Sequence, residues 1–188
     1  SEEYPWWKYI SHDDILLTAP AITAELFRQD KRGFIKNREI KDKIVITCRY
    51  VAVLIASILK AKRIPCRVRS GFASYFRTDG KYVDHWIIEY YDKKQGKWII
   101  CDPDPKSGET HINMNKKDFG WIAKIWLDVR SGKEDINKFI HGSASQGLNI
   151  LAYTLFFDFH ALMNDEISYL FMPSYIDPFT GYRYYKEE

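Results

Sequence analysis

The sequence predicts an α+β fold in which a central helix, beginning at Cys48, packs on an antiparallel sheet and further helices follow toward the C-terminus. From 48 to 61 the apolar residues Val51, Val53, Leu54, Ile55, Ile58 and Leu59 lie almost all round a helix, as they do in one surrounded by protein. Segments 66–76, 82–92 and 97–104 then read as strands by their alternation and apolar runs. After Lys116 the spacing becomes helical again. Helix, successive strands and more helices form a different pattern from the strand–helix alternation of a doubly wound sheet.

In chain order, "SHDDILLTAPAITAELFRQDKRGF" reads as a helix after Pro20, with Ile22, Leu26 and Phe27 on one stripe and Gly33 ending it. Its expected role is to pack on the core. Thr47 stands where an N-cap oxygen is useful, and Ile64-Pro65 stops the central helix because proline disfavours a helical conformation in the residue before it. Lys60, Lys62, Arg63, Arg67 and Arg69 are read as cations opposing the dipole at that helix's end, in preference to a ligand-binding patch. "DKKQG" is a polar hairpin connection ending in Gly96. "DFGWIAKIWLDVRSG" carries Trp121, Ile122, Ile125, Trp126 and Val129 at helical spacing, and "GLNILAYTLFFDFHALMNDEI" is a second, more apolar helix. The tail "GYRYYKEE" receives no assignment.

At 188 residues, with 46% hydrophobic residues and neither repeat nor linker, the chain reads as a single domain, 1–188, since one domain holds roughly 100 to 200 residues. Three cysteines form no disulfide framework, so the expected setting is a reducing one, the cytoplasm. A chain opening on "SEEYPWW" is compatible with a signal upstream of it. No apolar run approaches the ~20 residues of a membrane helix; the longest, 44–59, is broken by Thr47, Cys48 and Arg49. A net charge of +3 and a pI near 8.6 are too mild for a nucleic-acid partner.

The chemistry turns on Cys48. A thiol attacks as its thiolate, and free cysteine, with a pKa of about 8.5, is mostly protonated at neutral pH. The N-terminus of a helix favours the anion through unpaired N–H groups and a partial positive charge, and a histidine that takes the proton favours it further. The same N–H groups can hold an oxyanion. His85 lies in a predicted strand and Asp102 at the end of the next. With the turn centred between Lys93 and Lys94, Tyr91 falls opposite Gly96 and His85 opposite Asp102. The carboxylate then fixes the imidazole's tautomer and steadies its charged form. Asp104 competes for that role.

The order of a cysteine at a helix start, "IPCR" and "SGF" after it, "HWIIEYY" on a strand, then "W" and "DPD" on the next, resembles the transglutaminase-like superfamily of papain-type thiol enzymes, over a core of about 44–105. A C-terminal helical extension, about 116–170, with "WLDVRSGKEDINKF" and "FDFHALMNDEI", resembles bacterial proteins that carry this domain. The resemblance implies a papain-like fold with Cys48 as nucleophile, His85 as general base and then acid, and Asp102 as the orienting carboxylate. It implies attack on an amide carbonyl, a thioester acyl-enzyme, and release to water or to an amine. Cross-linking enzymes, proteases, amidases, peptide N-glycanases and inactive domains share the superfamily, so the expected partner is a peptide, protein or small amide. The alternative is an inactive binding or scaffold domain. No cofactor is implied, and no loop carries the spaced acidic ligands calcium prefers.

Two features depart from the pattern. "KDKIVIT" lacks the glycine or serine that often precedes the nucleophile, and Gln29, Asn37, Trp6 and Trp7 are only candidates for an oxyanion side chain. A lone buried cysteine is more often a small core residue; the ordered His85 and Asp102 reverse that balance for Cys48, whereas Cys66 and Cys101 read as packing residues. If Asp102 faces the site, Cys101 faces away. A metal site of Cys101, His85 and Asp102 lacks the paired spacing of known zinc motifs. His160 and Asp158 read as polar positions of an apolar helix ended by Asn164, Asp165 and Glu166, His12 as a helix-entry residue, and His111 and His141 as loop residues. Trp86 belongs to the core or walls the cleft.

Overall fold

The structure is a computed structural model and describes residues 15–104, 111–142, 145–165 and 167–173. The elements run α1 (Ala19–Gln29), α2 (Cys48–Ala61), β1 (Cys66–Ala73), β2 (Tyr82–Asp92), β3 (Lys97–Asp102), β4 (His111–Ile112), β5 (Phe119–Trp121), α3 (Ile122–Arg130), β6 (Phe139–His141), β7 (Ser145–Gln146) and α4 (Leu148–Leu162). The expected α+β architecture is present. One sheet is ordered β4-β3-β2-β1-β5, with β6 parallel to the start of β2 and β7 beyond it. Trp6, Trp7, His12, Glu166 and the tail 181–188 lie outside the described residues.

α2 begins at Cys48, and no residue from Cys48 to Lys60 is fully exposed. It is a central helix because nearly every turn meets protein: Ala52, Val53 and Ala56 pack with Val68, Trp86, Ile88, Cys101, Tyr153 and Phe157. Burying a side chain such as Ile88 contributes about 1.5–3 kcal/mol. The helix closes where Arg63 turns left-handed at φ 58° and the Ile64 N–H donates to the Leu59 carbonyl at 3.0 Å, just before Pro65. Thr47 is the N-cap residue, but its side chain does not cap the helix; its carbonyl accepts from Tyr50 and Val51 instead.

Period-two alternation assigns the sheet's faces. Trp86, Ile88 and Cys101 enter the core with α2 and α4, while Ile87 and Ile100 pack on the other face with Ala73 and Phe119. His85 and Asp102 share that second face. β1 and β5 approach closely at Gly71, where a Cβ would lie 2.5 Å from the Gly120 carbonyl oxygen. The glycine of "SGF" is thus what lets β5 pair.

Several sequence expectations are corrected. β1 stops at Ala73, so Tyr75 and Phe76 belong to the following turn. The β2–β3 register places Tyr91 opposite Trp98, two residues from the expected Gly96. Asp92 causes this by accepting from the Lys94 and Gln95 N–H groups, which centres the turn one residue later, and Gly96 takes φ 63°. Trp121 lies in β5, one residue before α3. His111 and His141 lie in the short strands β4 and β6 rather than in loops.

The basic run also divides differently. Arg67 and Arg69 are strand residues that meet Glu89 at 2.6 and 3.1 Å, and Arg69 reaches Asp158 of α4 at 2.9 Å. Asp158 is buried rather than a polar helix position at the surface, and it also accepts from the Ser70 N–H at 2.9 Å. Because β5 pairs only Gly71–Ala73, that N–H on the edge of β1 needs an acceptor, and α4 supplies one.

Candidate active site

Cys48 opens α2, so its sulfur sits at the first turn, where backbone N–H groups lack intrahelical acceptors. It is partly exposed and borders a cleft of about 530 Å³ together with His85, Phe76, Asp84, Tyr153 and Tyr169. Clefts of this size suit small-molecule or side-chain ligands.

His85 is buried on β2 and its Nε2 stands 2.9 Å from Asp102 Oδ2. Cys48 is its other hydrogen-bond partner. With Nε2 taken by Asp102, Nδ1 is the ring nitrogen that remains for the sulfur. The two-residue register shift leaves this contact intact because a shift of two preserves the face. His85 and Asp102 meet diagonally rather than directly opposite. The Asp104 backbone N–H donates to Asp102 Oδ1 at 2.8 Å and so helps to fix Asp102.

Burial disfavours charge on His85, but the hydrogen bonds to Asp102 and Cys48 and their negative charge outweigh it, raising its pKa to about 9. The ring is thereby biased toward its protonated form. Burial likewise opposes ionisation of Asp102, yet the bonds from His85, Tyr75 and the Asp104 N–H hold its carboxyl below the usual range. Tyr75 donates from its hydroxyl to Asp102 Oδ2 at 2.7 Å. Burial and that bond push the phenol far above its ordinary pKa, so it remains a donor.

Aromatic residues wall this pair. Phe76 meets His85 edge-on with centroids 4.7 Å apart, and Tyr75 stacks on His111 at 4.8 Å. Trp86 is not a cleft wall; it is buried on the opposite face with Phe157. Arg49, next to Cys48 in the chain, is also buried. Its guanidinium lies over Tyr50, Tyr169 and Trp86 at 4.6, 5.2 and 5.5 Å and donates to the Ile167 carbonyl. Cation–π contact offsets part of the cost of burying the charge. On the cleft's other wall His141 Nδ1 lies 2.7 Å from Asp84, whose Oδ1 accepts from Gly142 N–H.

Sequence reasoning missed Tyr75, Phe76, Tyr169 and the Asp84–His141 pair. Nothing in local periodicity marks them: Tyr75 and Phe76 lie in a turn, Tyr169 in a short 3-10 helix, and Asp84 of β2 meets His141 only through the pairing of β6 with β2. Gln29 and Asn37 do not border the cleft, and Gln29 is bonded to Glu25. Cys101 faces the core and Cys66 donates to the Ala56 carbonyl at 3.2 Å; burial pushes both thiols up, Cys101 to about 11 with help from Asp102. Among the described residues no cluster of three His, Cys, Asp or Glu side chains could hold a metal ion.

A thiol at a helix start, set beside a histidine–aspartate pair on neighbouring antiparallel strands, defines a papain-like core. Residues 40–103 match the family model of the transglutaminase-like superfamily. Neither curated proteins nor solved structures yield a significant match. Among the described residues no helix is long and apolar enough to cross a membrane.

Proposed function

We propose that the protein is a cysteine-dependent acyltransferase or hydrolase acting on an amide carbonyl of a peptide, protein or small amide, with Cys48, His85 and Asp102 as its triad. The observation that carries this reading is a buried His85 held between Asp102, at 2.9 Å, and Cys48 beside an open cleft. An imidazolium next to a sulfur favours the thiolate.

In the first step the Cys48 thiolate attacks the carbonyl carbon, forming the C–S bond and moving charge onto oxygen. First-turn N–H groups of α2 are suited to receive that oxyanion. His85 gives its proton to the leaving nitrogen as the C–N bond breaks, which leaves a thioester and a free amine. The neutral imidazole then takes a proton from water or from a second amine as that nucleophile attacks the thioester. Collapse returns the thiolate and releases an acid or a new amide. Asp102, fixed by Tyr75 and Asp104, keeps Nδ1 toward the sulfur throughout.

Iodoacetamide alkylation of each cysteine, followed by mass spectrometry across pH, tests the reading. Cys48 is expected to react at mildly acidic pH about 100-fold faster than Cys66 and Cys101, and His85→Ala to abolish that advantage. If Cys48 is accessible yet reacts like an ordinary thiol, the reading fails and an inactive binding domain takes its place.

A further inference from the structure

The five basic residues at and after the end of α2 are only partly neutralised. Arg67 and Arg69 meet Glu89 and Asp158, and Lys60 donates to Asn164. Lys62 and Arg63 are exposed and, among the described residues, make no ion pair or side-chain hydrogen bond; the β2–β3 hairpin brings Lys93 and Lys94, in the same condition, to the same concavity of about 430 Å³. The Tyr91 N–H donates to the Pro65 carbonyl at 2.8 Å, so the turn and the hairpin are joined through the sheet.

The chemistry of this concavity is lopsided. Among the described residues that line it, the one carboxylate, Asp92, is committed to the hairpin, accepting from two backbone N–H groups and from Gln95 Nε2. The carbonyls ending α2 are closed by the N–H groups of Lys62, Arg63 and Ile64, so side-chain cations dominate the rim. Leu59, Ile64, Pro65 and Tyr90 supply apolar lining. Four like charges held together raise the local affinity for a multivalent anion, and an apolar floor adds affinity only for an anion with an apolar body. α2 spans 14 residues, about 20 Å at 1.5 Å per residue, so this pocket and Cys48 lie at opposite ends of the helix.

We propose that the pocket between the α2–β1 turn and the β2–β3 hairpin binds a small organic phosphate dianion, its aromatic or apolar group resting on Ile64, Pro65 and Tyr90 and its phosphate held by Lys62, Arg63, Lys93 and Lys94. Isothermal titration of the whole chain with 1-naphthyl phosphate tests this, with 1-naphthol as the neutral ring and inorganic phosphate as the bare anion. Saturable one-to-one binding is expected, clearly tighter than either control and weaker at high salt. Two variants on the exposed rim, Lys93→Ala/Lys94→Ala and Arg63→Asn, which suits the left-handed backbone, are each expected to weaken binding about tenfold. Cys48→Ala is expected to bind normally, which separates this site from the cleft. Absence of saturation, equal binding of 1-naphthol, indifference to the rim variants when circular dichroism is native, or loss of binding in Cys48→Ala would each overturn the proposal.

Discussion

Two clusters of charge meet on strand β2, one reaching to β1 and α4 and the other to β3, and they are finished differently. Around Arg69, every charge is answered: two carboxylates take the guanidinium, Asp158 also takes the Ser70 N–H, and Trp121 stacks on the cation at 4.5 Å. Around His85 the charge is answered on one side by Asp102, while the other side turns to a partly exposed sulfur at the mouth of a cleft. The first cluster joins α4 to the sheet. The second leaves the His85 ring between a carboxylate and the Cys48 sulfur. Burial of charge therefore does not separate architecture from chemistry; an open side does.

The contrast can be broken at either cluster. Asp158→Ala leaves a buried guanidinium and an edge N–H short of acceptors, and is expected to cost about 3–5 kcal/mol, read as a lower urea midpoint, with Cys48 alkylation in the folded fraction preserved. His85→Ala should do the converse, slowing Cys48 alkylation at pH 6 about 100-fold, near 2.7 kcal/mol, with a smaller change in the urea midpoint. Tyr75→Phe removes a bond to a charged group, worth about 1.5–3 kcal/mol. Because Asp102 is held below its unfolded pKa, its share of stability is present above about pH 4 and is lost on acidification, so the difference between Tyr75→Phe and the parent should shrink as Asp102 protonates.

The pH dependence of His85 has the opposite sign. Its folded pKa of about 9 exceeds the reference 6.5, so its contribution is complete below that reference value and is lost as pH rises through about 9. Urea midpoints of parent and His85→Ala should converge across that window; parallel curves would contradict the raised pKa. Lys138→Ala, which breaks an exposed pair with Glu134, should change stability by no more than about 0.5 kcal/mol.

Local signals made much of this legible. The bounds of α2 follow from its apolar residues and from Ile64-Pro65, and His85 lies beside both Asp102 and Cys48. The hairpin turn was displaced by its own Asp92 side chain, a detail that alternation does not encode, yet a shift of two left the faces unchanged. Asp158 offered a usable signal: a lone carboxylate inside "LFFDFHAL" must find a partner or stay in water. Tyr75 and His141 offered none. Their positions depend on a turn conformation and on β6 pairing with β2, and neither leaves a local periodicity.

Arg49 has a kinetic consequence. It donates to Ile167, 118 residues along the chain, and lies against Tyr169, which borders the cleft. Contacts between residues so far apart in sequence close only after the intervening chain has been ordered, because loop closure costs entropy before the contact repays it. The helix that bears Cys48 can form early from local contacts, whereas this wall of the cleft must await the docking of α4. During refolding, Cys48 should accordingly pass through an interval in which the thiol is more open to modification than in the native protein, and rapid pulse-labelling would time the closing of that wall.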